Sequence, residues 1–135
     1  MGFDPVTDYP LGRRRPELVT TPSGRPLAEV TLAAARRGEL QPDDLRATGE
    51  TLRRQAEVAR AGGRSQLAES LERAAELAAV PDDELLQIYT ALRPGRSTEV
   101  ELAAWAARLD ELGATGTAEF VRGAIRAYLD RGLLR

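Results

Sequence analysis

The sequence predicts an all-α fold: a small helical domain of about five main helices over residues 27–135, preceded by an extended N-terminal arm over residues 1–26. Three observations carry this expectation. Of the 57 apolar residues, 41 are Ala or Leu, whereas Val and Ile together number nine and aromatics six, a balance that favours helix over sheet. Beyond residue 26, apolar side chains recur at helical spacing between Gly and Pro stops. Within the first 26 residues, Pro5, Pro10, Pro16, Pro22 and Pro26 are too closely spaced for any helix and bias the residues before them to extended geometry. A chain of 135 residues can bury an independent core, here a thin one built on alanine contacts.

In the arm, Thr21-Pro22-Ser23-Gly24 is the clearest turn. Phe3, Val6, Tyr9, Leu11, Leu18 and Val19 give it more apolar character than a solvated tail needs, which leaves a packed and a disordered arm both open. A first short helix is expected from Leu27 to Arg37, with Leu27, Val30 and Ala34 on one face and Gly38 as its stop. Gln41-Pro42-Asp43-Asp44 opens a brief helical turn around Leu45. Thr48 suits the N-cap of a helix from Gly49 to Ala61 that buries Leu52, Ala56 and Ala59. Gly62-Gly63 breaks it, and Ser65 is expected to cap the next helix, whose stripe is Leu67, Leu71, Ala74, Ala75 and Ala78. Two helices of similar length across a two-glycine break read as an antiparallel hairpin.

The best-punctuated segment is residues 81–98. Pro81 suits a first helical position, Asp82, Asp83 and Glu84 favour the positive end of the helix dipole, and Leu85, Ile88, Tyr89 and Leu92 form an apolar stripe expected in the core. Pro94-Gly95 stops this helix. Thr98-x-x-Glu101 reads as a capping box for the next, running to Leu112 with Leu102, Trp105, Ala106, Leu109 and Leu112 inward. Gly113 ends that helix. Thr115 or Thr117 starts the last one, which places Ala118, Val121, Ile125 and Tyr128 inward and closes at Gly132.

The composition excludes several chemistries. With no Cys and no His there is no disulfide framework, no usual zinc or thiolate site, and no serine–histidine or cysteine–histidine nucleophile. The net charge of −2 argues against nucleic acid. All nineteen basic residues are Arg, which suits bidentate carboxylate pairing across protein contacts; compositional bias of the genome is the alternative. No apolar run approaches the roughly 20 residues of a membrane span, and the N-terminus lacks signal-peptide features, so a cytoplasmic protein with no membrane association is expected.

The acidic pairs at Asp43-Asp44 and Asp82-Asp83-Glu84 fall at helix starts, where capping explains them without general acid–base chemistry. Arg13-Arg14-Arg15 is either solvated or a contact for a phosphate or acidic partner. Arg93 and Arg96, flanking Pro94-Gly95, either satisfy the helix's last carbonyls or reach an acidic partner. Residues 21–26 resemble a phosphate loop only superficially, with one Gly, no Lys and no preceding strand. Trp105 and Tyr89 read as core rather than as stacking platforms. No catalytic apparatus emerges.

The order of words in the chain goes further. YPLG (9–12), RPELVTTPSGRPLAEVTL (15–32), GEL (38–40), DDLR (43–46), TLRRQAEVA (51–59), AGGRSQLAESLERAAELAAVPDDELLQIYTALRPGRST (61–98) and FVRGAIRAYLDRGLLR (120–135) resemble the small subunit of adenosylcobalamin-dependent diol dehydratase and its glycerol dehydratase relatives. TPSGRPL, RAAELAAVPD and IYTALRPGRST, in that order, are the most specific. The resemblance implies a mostly helical, non-catalytic subunit that joins a large and a medium subunit, two copies of each. The large subunit's barrel binds the diol and a monovalent or divalent metal ion. The large and medium subunits together hold adenosylcobalamin, whose cobalt–carbon homolysis starts radical abstraction of a substrate hydrogen. The 1,2-diol then becomes aldehyde and water. None of the family's catalytic residues maps onto this chain.

The residues then expected to touch the partners are Tyr9, Pro10, Leu11, Thr21, Pro22, Ser23, Gly24, Arg25, Arg93 and Arg96. The chain departs from its relatives at Ala47-Thr48-Gly49, which is expected to weaken the cap of the following helix, and at Gly123 inside the last helix. Some diol dehydratase small subunits carry a long amphipathic N-terminal extension tied to packing in a protein-shelled microcompartment. Tyr9 has eight residues before it, so that extension is expected to be absent and substrate preference stays open between propane-1,2-diol and glycerol. The rival expectation is a free-standing helical adaptor or regulator derived from the same family.

Overall fold

A computed structural model describes residues 2–135. Its α-helices are α1 (Leu11–Arg14), α2 (Leu32–Arg36), α3 (Gly49–Ala61), α4 (Ser65–Leu77), α5 (Asp82–Ala91), α6 (Glu99–Glu111) and α7 (Thr115–Arg131), with 3-10 turns at Pro16–Leu18, Leu27–Glu29 and Pro42–Leu45. Among the described residues there is no strand, only an isolated antiparallel bridge between Thr20 and Pro26. The five long helices, α3 to α7, are the main helices expected from the sequence. The chain folds as two compact units, one ending at Ala78 and the other running from Ala79 to Arg135.

In the N-terminal unit, α3 and α4 pack as the expected hairpin around Ala56, Ala59, Ala68 and Leu71. The Thr48 hydroxyl accepts the Thr51 N–H at 3.1 Å, so the cap of α3 is intact despite the departure at residues 47–49. Gly49 is explained by close approach: a Cβ there would sit 3.0 Å from the Ala75 carbonyl oxygen on α4. Alanines along both helices permit the same close packing.

Four expectations in this unit need correction. The arm is not free of helix: one turn, α1, fits between Pro10 and Pro16, because Pro10 at its N-cap needs no N–H there. The helix expected over residues 27–37 is broken in two, because the Thr31 hydroxyl accepts the Ala34 N–H at 3.1 Å and starts α2 afresh. Ser65 does not cap α4. The turn through Gly63 closes with Arg64 N–H donating to the Ala59 carbonyl at 2.8 Å, so Arg64 takes the cap position and Ser65 is already helical. Finally, the inward face of α4 centres on Ala68 and Ala75, leaving Leu67 and Ala78 exposed.

In the C-terminal unit, α6 and α7 bury Leu102, Ala106, Leu109, Ala118, Val121 and Ile125 between them. Thr98 and Glu101 form the expected capping box: Thr98 N–H donates to Glu101 Oε2 at 2.7 Å, and Glu101 N–H to the Thr98 hydroxyl at 3.3 Å. Pro81 sits one position before the helix, with ψ 142°, so α5 begins at Asp82. Glu84 does more than favour the dipole. Arg108 of α6 grips it bidentately, Nε to Oε2 at 2.8 Å and Nη2 to Oε1 at 2.9 Å. That fork holds the Glu84 carboxyl below its ordinary pKa.

The stripe on α5 is rotated from its expected position. Ile88 is buried, Glu84, Leu85, Ala91 and Leu92 are half-buried, and Tyr89 is 60% exposed. At about 100° per residue, Tyr89 lies a quarter turn or more from Ile88, outside the inward sector. Trp105 is half-buried rather than fully in the core.

Gly123 lies mid-helix in α7, and a Cβ there would meet only the Arg126 guanidinium, at 3.8 Å. Gly123→Ala is therefore expected to stabilise the chain by about 0.5–1 kcal/mol, read as a higher midpoint in urea unfolding.

Candidate functional site

The candidate residues fall in two places, one on each unit. On the N-terminal unit, the turn at residues 21–25 is closed by Gly24 N–H to the Thr21 carbonyl at 2.8 Å and Thr21 N–H to the Arg25 carbonyl at 3.0 Å. Its organiser is Asp44, 4% exposed, whose role goes beyond the local cap expected from the sequence. The Asp44 carboxylate does cap its own turn, accepting Gln41 N–H at 2.9 Å. It also accepts the Ser23 hydroxyl at 2.5 Å and the Thr21 hydroxyl at 3.2 Å. Arg25 Nε lies 3.4 Å away, an ion-pair distance at an angle that makes no hydrogen bond.

The donors from Gln41, Ser23 and Thr21, with the Arg25 charge, outweigh burial and pull the Asp44 carboxyl down to about 2. Arg25 further donates to the Glu39 carbonyl at 3.1 Å and pairs with Glu29. Thr21, Ser23 and Arg25 are thus committed inside the chain, while Pro22 and Gly24 are exposed. No local signal exposes this network, because its partners lie 21 and 23 residues apart.

The segment around Tyr9-Pro10-Leu11 is anchored rather than loose. Leu11 is buried, and Tyr9 and Pro10 are exposed. Arg15 pairs with Asp8 at 2.7 Å and Glu17 at 2.5 Å, leaving Arg13 and Arg14 exposed. Arg54 of α3 donates to the Leu18 carbonyl at 2.7 Å, tying the arm to the hairpin.

On the C-terminal unit, the turn at residues 94–97 is held by the chain's own tail. Gly95 N–H donates to the Leu133 carbonyl at 2.8 Å, and Arg135 N–H to the Ser97 carbonyl at 2.9 Å. Gly95 adopts φ +72°, a region an L side chain rarely enters. The last carbonyls of α5 are taken by backbone N–H groups and by the Ser97 hydroxyl, which donates to Ala91 at 2.9 Å. Tyr128 Oη donates to the Leu92 carbonyl. The arginines are therefore not needed as caps. Arg93 and Arg96 are exposed, and Arg96 lines a shallow hollow of about 450 Å³ with Leu86 and Trp105.

Among the described residues, no three His, Cys, Asp or Glu side chains gather closely enough to hold a metal ion. No helix is long and apolar enough to cross a membrane. Large apolar side chains including Val6, Tyr9, Leu86, Tyr89 and Phe120 are exposed. The fold defines a small all-helical protein with several large apolar side chains left exposed.

Comparison with known proteins gives the family. A family model described as dehydratase small subunit matches residues 5–135. The chain is 48% identical over 131 residues to the propanediol dehydratase small subunit of Citrobacter freundii, and 47% identical over 131 residues to that of Salmonella typhimurium strain LT2. Each alignment covers 96% of this chain and 76% of the relative. The chain belongs to the dehydratase small-subunit family.

Proposed function

We propose that this chain is the small, non-catalytic subunit of an adenosylcobalamin-dependent diol dehydratase, acting in the cytoplasm on propane-1,2-diol or glycerol. Its role is to clamp the large subunit's barrel and stabilise an assembly with two copies each of the large, medium and small subunits. The observation that carries this reading is the 48% identity, spanning 96% of the chain, to a propanediol dehydratase small subunit. The names of the relatives favour propane-1,2-diol over glycerol as substrate.

This chain's donor set does not fit the cofactor or the metal ion. It has no His or Cys, and among the described residues no three carboxylates gather closely enough to hold an ion. The resemblance to the family assigns both groups to the partner subunits, where the cofactor would supply the radical that removes a substrate hydrogen. No chemical step is assigned to a residue here. Tyr9, Pro10, Pro22 and Gly24 on the N-terminal unit, and separately Arg93 and Arg96 on the C-terminal unit, are the proposed contacts. Leu11, Thr21, Ser23 and Arg25 support it, because their own groups are buried or already bonded. The test is co-expression of a tagged small subunit with the large and medium subunits. Recovery of all three in constant proportion through a second chromatographic step is expected; recovery of the small subunit alone contradicts the assignment.

A further inference from the structure

A groove of about 790 Å³ opens in the N-terminal unit between the arm and the tip of the α3–α4 hairpin. Its walls are mostly apolar, with Val6 and Tyr9 of the arm and Val58, Leu67 and Leu71 of the hairpin among the lining residues. Three of these large side chains are left uncovered, Val6 at 72%, Tyr9 at 60% and Leu67 at 45% exposure. Leaving them in water forfeits the burial energy that the rest of the unit exploits. The groove also accounts for the misplaced residue of α4, since Leu67 leaves the hairpin core and lines this space instead.

Among the described residues, Arg64 is the one charged residue lining the groove. Its guanidinium is exposed and makes no hydrogen bond or ion pair among the described residues. Other arginines of the same hairpin are committed, Arg54 to Glu50 and Arg60 to Glu72. An apolar channel edged by a single free guanidinium is complementary to an apolar segment that carries one carboxylate.

We propose that this groove receives an apolar segment of the large dehydratase subunit, with an Asp or Glu of that segment paired to Arg64. The inference rests on the small-subunit reading above. It goes beyond it by naming the receiving surface and the chemistry of what enters. The groove's arm wall includes Tyr9, Pro10 and Leu11, so it is continuous with the contact residues already proposed.

The test uses the three co-expressed subunits with the tag on the large one. Val6→Asp and Arg64→Glu each place a carboxylate where the incoming segment needs apolar surface or a cation. Both positions are exposed, so each variant should fold and melt as wild type. Val100→Asp, at a 78% exposed position outside the groove, is the control. Each groove variant is expected to weaken retention of the small subunit on the large one by about tenfold or more, with Val100→Asp unchanged. Wild-type retention by either groove variant, or an equal loss with Val100→Asp, overturns the inference. Failure of the unmutated chain to bind the large subunit overturns the small-subunit reading instead. Retention that depends on the groove but is mediated by the isolated medium subunit overturns the choice of occupant.

Discussion

Leu109→Ala is expected to destabilise the chain by about 2–5 kcal/mol, the largest effect of any single truncation considered. Leu109 is 0% exposed, in the seam between α6 and α7, with Leu102 one two-turn step before it and Val121 and Ile125 on the facing helix. The core is poor in large side chains: among the described residues, only Leu102, Leu109 and Val121 are both bulky and almost wholly enclosed. The rest of the buried seam includes Ala106 and Ala118, whose short side chains cannot swing in to fill the space. The cavity would therefore stay open, which puts the loss in the upper part of the range. Val100→Ala on the same helix, at an exposed position, should change stability by less than about 0.5 kcal/mol. Urea unfolding followed by far-UV circular dichroism compares the two. Similar midpoints for Leu109→Ala and Val100→Ala would show that α6 and α7 are not packed as described.

Asp44→Ala is expected to release the turn at residues 21–25 and to lower the melting temperature clearly. The substitution removes the acceptor of the Gln41 N–H and of the Ser23 and Thr21 hydroxyls, and leaves Arg25 without its buried partner. Buried polar groups left unpaired are the costly outcome. Amide exchange at Gln41 and Arg25 should accelerate, since the first loses its acceptor and the second depends on the Thr21 hydroxyl being held. Asp43→Ala, one residue away, removes only a 3.6 Å exposed pair with Arg46 and should do little.

The pH dependence has a defined sign. The folded carboxyl, at about 2, lies below its ordinary 3.8, so Asp44 stabilises the fold fully above that ordinary value. Its contribution is lost as pH falls from there through about 2. The stability gap between wild type and Asp44→Ala should therefore be constant near neutrality and narrow only in that acid window. A gap that closes instead between pH 5 and 7 would contradict the network as drawn.

These residues also show what could be read before any coordinates. The ends of α3 were legible because Thr48 and Gly62-Gly63 act on their immediate neighbours. The Thr98–Glu101 box was legible for the same reason, since its four residues contain both hydrogen bonds. Rotation of a helix face was harder. Tyr89 and Leu67 fit an apolar period, but the stripe's centre is set by what packs against it, and a period alone cannot say which edge stays wet. The break at Thr31 was missed because a helix-internal Thr and an N-cap Thr look alike without the Ala34 contact.

The role of Asp44 was beyond local reading, since its hydroxyl partners come from another segment of the chain. At the candidate site, the sequence marked Thr21 to Arg25 as a distinctive stretch. It did not reveal that most of its polar groups are used internally. Arg64 carried no signal in the sequence, being one arginine among nineteen.

The central claim, that this chain assembles a dehydratase without contributing to its chemistry, is tested most directly by omission. The large and medium subunits, loaded with adenosylcobalamin, are assayed for aldehyde formation from propane-1,2-diol with and without this chain, and their assembly is followed by size-exclusion chromatography. The account predicts that leaving the chain out destabilises the assembly and lowers its sustained activity, and that adding it back restores both. A complex that assembles and turns over equally well without it would contradict the account.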